Sequence, residues 1–222
     1  MSRGVVAIVP AYNEAERLGL TLRSLSIWLE PKKILVVDDG STDATSDIAR
    51  SHGARLVRLE SNRGKAHAVA AGVAETSEPY LLFVDADLAG SAWATVRLLE
   101  PVLRDEADMV VASWSKAGRR GGFGLVKRFA QWWLYRLTGQ RFLSPLSGQR
   151  ALRREVWEAF RGCEGFGFEV ALTLDALRSG FRVQEMPLAL THRETGRGLQ
   201  GFVHRGKQFS HIVRALWERR NA

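Results

Sequence analysis

The sequence predicts an α/β protein built on a mostly parallel, doubly wound sheet flanked by helices, and three observations carry that prediction. Its apolar residues come in unbroken runs such as Val5-Val6-Ala7-Ile8-Val9 and Ile34-Leu35-Val36-Val37. Parallel strands covered on both faces read this way, whereas half-exposed strands alternate. Segments of helical periodicity separate the runs, which calls for right-handed strand–helix–strand crossovers. Polar clusters follow the strands: Ala11-Tyr12-Asn13-Glu14, Asp38-Asp39-Gly40-Ser41, Asn62-Arg63-Gly64-Lys65 and Asp85-Ala86-Asp87. In such sheets that edge, outside the carboxyl ends of the strands, is where ligands bind.

The elements follow in order. Val5–Val9 is the first strand. Leu18, Leu22, Leu25 and Leu29 recur at helical spacing and predict a helix over Ala15–Leu29. Ile34–Val37 is the second strand, and Ser41, Thr42 or Asp43 can cap a helix running to about Ser51. Arg55–Leu59 is a third strand, Gly64–Ala74 a third helix, Tyr80–Val84 a fourth strand and Met109–Ala112 a fifth. A Gly/Arg-rich link at 118–122 leads to a helix over Phe123–Leu137, where Trp132, Trp133 and Tyr135 lie among Lys127, Arg128 and Arg136. These aromatics either lie on a membrane interface or fill the core. Helices over 148–160 and 168–179 and a strand over Val183–Leu190, broken by Pro187, complete the chain. With no repeat, low-complexity tract or flexible linker, residues 1–222 are expected to form a single domain.

A chain of 222 residues buries enough surface to fold without a metal or disulfide staple. The single cysteine, Cys163, has no intramolecular partner, which fits a reducing compartment. The start of the chain is too short for a signal-peptide core, and no run approaches the ~18 apolar residues of a membrane span. A cytoplasmic protein is expected, at most peripheral on the inner face of the membrane. The net charge of +8 is uneven: residues 1–115 carry 12 basic and 16 acidic residues, residues 116–222 carry 20 and 8. The second half, at +12, suits a surface that meets phosphates or anionic lipid, unless it is simply a solvated basic face. A nucleic-acid module is not expected, because no zinc-ligand cluster, RNP stripe or helix-turn-helix pattern accompanies the charge. Asn62-Arg63-Gly64-Lys65 also lacks the first glycine and the hydroxyl residue of a phosphate-binding P-loop.

Asp85-Ala86-Asp87 follows Leu81-Leu82-Phe83-Val84 directly. Carboxylates at i and i+2 point the same way at a strand end and can share one divalent ion through oxygen ligands. In Asp38-Asp39-Gly40 the glycine allows a tight bend, and an acid can accept hydrogen bonds from a base N–H or ribose hydroxyls. The alternative there is a plain N-cap turn.

Val9-Pro10-Ala11-Tyr12-Asn13-Glu14, Val36–Asp43, Asn62–Lys65 and Val84–Asp87, in this order and spacing, resemble the family 2 glycosyltransferases of the GT-A fold. Ser147–Arg154 and Gly165-Phe166-Gly167-Phe168-Glu169 are similar to that family's acceptor-side segments, so the resemblance spans nearly the whole chain. It implies transfer of a hexose from a UDP- or GDP-linked sugar, with Mg²⁺ or Mn²⁺ on the diphosphate. Pro10, Tyr12, Glu14 and Asp39 would line the nucleoside pocket, Lys65 would sit near the donor phosphates or sugar, and Asp85 and Asp87 would reach ribose and metal. Glu169 would face the acceptor, as a general base toward a hydroxyl, or as an orienting group toward an already ionised phosphate. The alternative for Glu169 is an acid favoured by a helix N-terminus.

Relatives that make polyprenyl-phosphate sugars keep a glutamine just after the Asp-x-Asp, where this chain has Ala89. His192 is a replacement metal ligand or a hydrogen-bonded loop histidine; retaining glucosyl-3-phosphoglycerate synthases have a similar histidine. Arg150, Arg193 and Arg197, with Arg205 and Lys207 further on, would bind acceptor or phosphate. The expected acceptor is phosphate-bearing: polyprenyl phosphate at the membrane surface or, alternatively, a small soluble anion such as 3-phosphoglycerate.

Overall fold

The computed structural model describes residues 4–114, 124–163, 165–190 and 219, apart from the side chains of 114, 124, 125 and 166. Among these residues, seven strands form one sheet in the order β3-β2-β1-β4-β6-β5-β7. They are β1 (Val5–Ala11), β2 (Ile34–Asp38), β3 (Arg55–Arg58), β4 (Tyr80–Phe83), β5 (Met109–Trp114), β6 (Arg150–Arg153) and β7 (Val183–Leu188). All neighbours pair in parallel except β6, which runs antiparallel to both β4 and β5.

The helices are α1 (Ala15–Leu25), α2 (Thr45–Ser51), α3 (Lys65–Ala74), α4 (Leu99–Leu103), α5 (Gly124–Thr138), α6 (Arg154–Glu158) and α7 (Phe168–Arg178). A 3-10 segment over Ala89–Leu98 leads into α4. Strand residues alternate between two cores. Val5, Ala7, Val9, Ile34 and Val36 face α1 and the Ala89–Leu98 segment, through Leu18, Leu22, Ala92 and Leu98. Val6, Ile8, Leu35, Val37 and Phe83 face α3, α5 and α7, through Val69, Leu134 and Leu172. Burial on both faces is why the strands read as continuous apolar runs. Gly72 lets α3 lie close: a Cβ there would sit 2.7 Å from Ile8 Cγ2.

Three expectations are corrected. The helix predicted over 148–160 is instead strand β6 followed by the short α6. Gln, Arg, Ala and Leu favour helices, but pairing on both edges and the full burial of Ala151 and Leu152 override that preference. The first helix stops at Leu25 and not Leu29, although the turn beyond still buries Leu29. Pro187 does not break its strand, since β7 lies at the sheet edge, where a missing N–H costs no ladder bond.

Candidate active site

Strand order reverses around β1, which has β2 on one side and β4 on the other, and the crevice at such a switch point is the expected ligand site. An open cleft of about 320 Å³ lies there, lined by Pro10, Tyr12, Glu14, Asp39, Lys65, Asp85 and Asp87, with Asn62 and the backbone of Gly64 on its walls.

Hydrogen bonds between loops hold its wall. Asn13, in the left-handed region at φ 53, donates its N–H to Ser41 Oγ and accepts from the Thr42 N–H, both at 2.9 Å. The first turn of α1 is satisfied from the second loop: Glu14 N–H donates to Thr45 Oγ1 and Ala15 N–H to Asp43 Oδ2. The two consecutive acids divide their tasks. Asp38 accepts from Ser41 N–H and Ser46 Oγ and so builds the turn. Asp39 accepts from the Arg63 and Gly64 N–H groups at 2.9 and 2.7 Å, fixing the loop before α3. Gly40 is required between them: at φ 74, its Cβ would lie 2.7 Å from the Ser61 carbonyl carbon. On the β4 side, Thr21 Oγ1 donates to Ala86 O at 2.7 Å and accepts from Ala89 N–H at 2.8 Å, which clamps the Asp85–Asp87 turn to α1.

At the cleft floor Lys65 Nζ lies 2.6 Å from Asp85 Oδ1 and 3.2 Å from Glu169 Oε1. Burial works against its ammonium, but the Asp85 and Glu169 carboxylates outweigh that and hold the pKa above the usual lysine value. Gln149 Nε2 donates to Asp85 Oδ2 at 2.5 Å. Gly148 lies directly under the pair: a Cβ there would come within 2.0 Å of Lys65 Nζ and 2.9 Å of Asp85 Oδ1.

The structure thus brings Pro10, Tyr12, Glu14, Asp39, Lys65, Asp85 and Asp87 to one cleft and joins Glu169 to it through Lys65. Arg150 is placed differently from expectation. It is fully buried behind the floor, where it donates to Ser147 O and to Thr173 Oγ1 and not into the cleft. Burial pushes its pKa down to about 10, against the opposing carboxylates of Glu169, Asp85 and Glu185, so it remains a cation at neutral pH. His192, Arg193, Arg197, Arg205 and Lys207 lie outside the described residues.

Gly148 and Gln149 lie within the Ser147–Arg154 segment, but the sequence assigns them no role. β6 pairs antiparallel with β4 at Phe83↔Arg150, and continuing that register two residues sets Gly148 opposite Asp85. Only strand pairing reveals that juxtaposition. Among the described residues no three His, Cys, Asp or Glu side chains converge as a metal cage. The hard carboxylate oxygens of Asp85 and Asp87 nevertheless suit Mg²⁺ or Mn²⁺ if diphosphate oxygens complete the coordination.

A doubly wound sheet with an acidic pair and a lysine at its switch-point cleft defines the nucleotide-sugar transferase class of α/β protein, the GT-A fold. Residues 6–169 match Glycosyl transferase family 2, and the chain belongs to that family of glycosyltransferases. The glycosyltransferase AglJ of Haloferax volcanii is 30% identical over 204 residues, 86% of this chain, which spans 64% of AglJ's length. The undecaprenyl-phosphate mannosyltransferase of Micrococcus luteus is 29% identical over 235 residues, 96% of each chain. Glucosyl-3-phosphoglycerate synthase of Mycobacterium tuberculosis, solved with Mn²⁺, UDP-glucose and phosphoglyceric acid, superposes with a TM-score of 0.82 at 27% identity. That match covers 97% of this chain and 79% of the other.

Proposed function

We propose that this glycosyltransferase moves a hexose from a UDP- or GDP-linked donor to polyprenyl phosphate at a membrane surface. The observation that carries the membrane part is the outer face of α5 and the loop that follows it. Residues 124–146 hold Lys127, Arg128, Arg136 and Arg141 and no acidic residue. Trp132, Tyr135 and Leu143 are 54%, 45% and 64% exposed, and the Arg141 guanidinium lies 5.0 Å from the Tyr135 ring centre. Exposed aromatics among cations suit the headgroup layer of an anionic bilayer. The segment runs on into Gly148 and Gln149 at the cleft floor, so a lipid phosphate docked there would lie near the donor. Among the described residues no helix is long and apolar enough to cross a membrane.

In this reading Pro10, Tyr12, Glu14 and Asp39 shape the nucleoside end of the cleft, and Asp85 reaches the ribose. Asp85 and Asp87 would hold Mg²⁺ or Mn²⁺, with His192 as a further ligand; the ion supplies Lewis-acid stabilisation of the departing nucleoside diphosphate. Lys65 contributes a fixed positive charge beside the diphosphate. A phosphate acceptor is already ionised, so Glu169 needs to remove no proton and instead, with Lys65, orients the acceptor. Arg193 and Arg197 supply forked donors to the acceptor phosphate.

The second reading, transfer to a small anionic acceptor such as 3-phosphoglycerate, with retention of configuration, is favoured by the phosphoglyceric acid complex of the mycobacterial neighbour.

The test has two parts. Thermal shifts with UDP, GDP and their sugar conjugates, with and without Mn²⁺, should single out one Mn²⁺-dependent nucleotide, stabilising by about 2.7 kcal/mol at a hundredfold excess over Kd. Sedimentation should then find the protein on phosphatidylglycerol vesicles but not on phosphatidylcholine. No binding to anionic vesicles, together with transfer to 3-phosphoglycerate, would favour the second reading, and the anomeric configuration of the product would settle its stereochemistry.

A further inference from the structure

The cleft floor closes into a ring of hydrogen bonds. Asp85 Oδ2 accepts from Gln149 Nε2 at 2.5 Å, and Gln149 Oε1 accepts from Ser147 Oγ at 3.2 Å. Ser147 O accepts from Arg150 Nε and Nη2 at 3.1 and 2.8 Å, and Arg150 Nη1 donates to Thr173 Oγ1 at 3.1 Å. Thr173 Oγ1 donates to the backbone oxygen of Glu169 at 2.9 Å, and Lys65 bridges the Glu169 and Asp85 carboxylates. The turn that carries Ser147 is itself anchored: Glu185 on β7 accepts the N–H groups of Leu143 and Ser144, both at 2.6 Å.

A carboxylate has about four lone-pair positions. Lys65 and Gln149 each take one on Asp85, from the floor side, leaving the others for a ligand in the cleft. Gln149 is 1% exposed and has both ends of its amide engaged, so it cannot turn without losing a bond. Lys65, by contrast, sits at the end of a flexible chain and is about a third exposed.

We infer that Gln149 is a positioning residue: its buried amide, held in place by Ser147, fixes the rotamer of Asp85 for the donor. The inference rests on the donor reading above for its effect on ligand, but not for the contact itself.

Gln149→Met keeps length and volume and deletes the amide. Calorimetric titration with UDP and GDP in Mn²⁺ should give this variant a Kd about tenfold higher than wild type, for whichever nucleotide the wild type binds. Thr173→Val, which cuts the ring far from Asp85, should change that Kd by less than about twofold. An unchanged Kd for Gln149→Met, or an equal loss in Thr173→Val, overturns the inference, because general loosening would then account for everything.

A second arm needs no nucleotide. The Tm losses of Gln149→Met and Asp85→Asn should be clearly non-additive in the double variant, as expected of residues in direct contact. Additive losses overturn the inference. If the wild type binds neither nucleotide, the donor reading fails, and this cycle alone decides about Gln149.

Discussion

At the scale of single residues, the site is a balance of charge around one lysine. Lys65 meets Asp85 and Glu169 in front, while the buried Arg150 faces the same carboxylates from behind. Because the folded pKa of Lys65 is raised, its stabilising charge is fully present below the ordinary lysine value of 10.5 and is lost only as pH rises beyond it. Lys65 therefore titrates nowhere near neutrality. Lys65→Met should lower transfer by about 10²-fold or more, the scale of losing one charge-stabilising donor, with initial rates as the readout.

Gly148→Ala is a finer probe. Its Cβ would displace the flexible end of Lys65 and crowd the Asp85 carboxylate, the nearest groups to it. Donor turnover should fall at least tenfold while Tm stays within a few degrees of wild type. A large Tm loss with normal turnover would contradict the placement of Gly148 beneath the ion pair.

At the scale of elements, α5 presents two faces with separable consequences. Val126, Ala130 and Leu134 are buried in the core that α5 shares with α7, and Phe129 and Trp133 pack beside them, whereas Trp132 and Tyr135 are exposed. Of the three aromatics, Trp133 thus packs with the core, while Trp132 and Tyr135 are exposed, as the membrane proposal requires. Leu134→Ala should cost about 2–5 kcal/mol in urea unfolding, the range for a buried leucine. Trp132→Ala should change stability by about 0.5 kcal/mol or less, yet reduce sedimentation with anionic vesicles. The β2–α2 turn makes its own prediction. Gly40→Ala combines a left-handed φ with a clash against backbone and should destabilise by about 2–4 kcal/mol.

At the scale of the whole molecule, acid should find the fold's weak points away from the cleft. Asp108 is held below the usual aspartate pKa, first by its hydrogen bond from Arg182 and also by the charges of Arg182 and Arg153. Asp43 is held low as well: hydrogen bonds from Thr45 and Ala15 outweigh the opposing effect of burial. A depressed carboxylate stabilises the fold above its unfolded pKa, and that contribution fades as pH falls below about 4. Urea midpoints measured from pH 6 to pH 3 should therefore drop steeply only below pH 4. Asp108→Asn should flatten part of that drop, at the cost of a lower midpoint at pH 6.

The sequence by itself determined the sheet's class, the first five strands and the polar clusters that follow the strands. Each of these depends on short-range patterns: unbroken apolar runs, helical spacing, and acids placed directly after a strand. The resemblance to family 2 glycosyltransferases singled out Pro10, Tyr12, Glu14, Asp39, Lys65, Asp85 and Asp87, and they meet in one cleft because β1 to β4 all end at one edge. The tertiary structure alone decided what lies beside that edge. Residues 150–153 have helical composition and become a strand because β4 and β5 offer partners on both sides. That antiparallel insertion carries Gly148 and Gln149 to Asp85, turns Arg150 inward and brings Glu169 within reach of Lys65. Local propensity cannot encode such a choice, since the free energy that selects it comes from pairing and burial between segments some seventy residues apart.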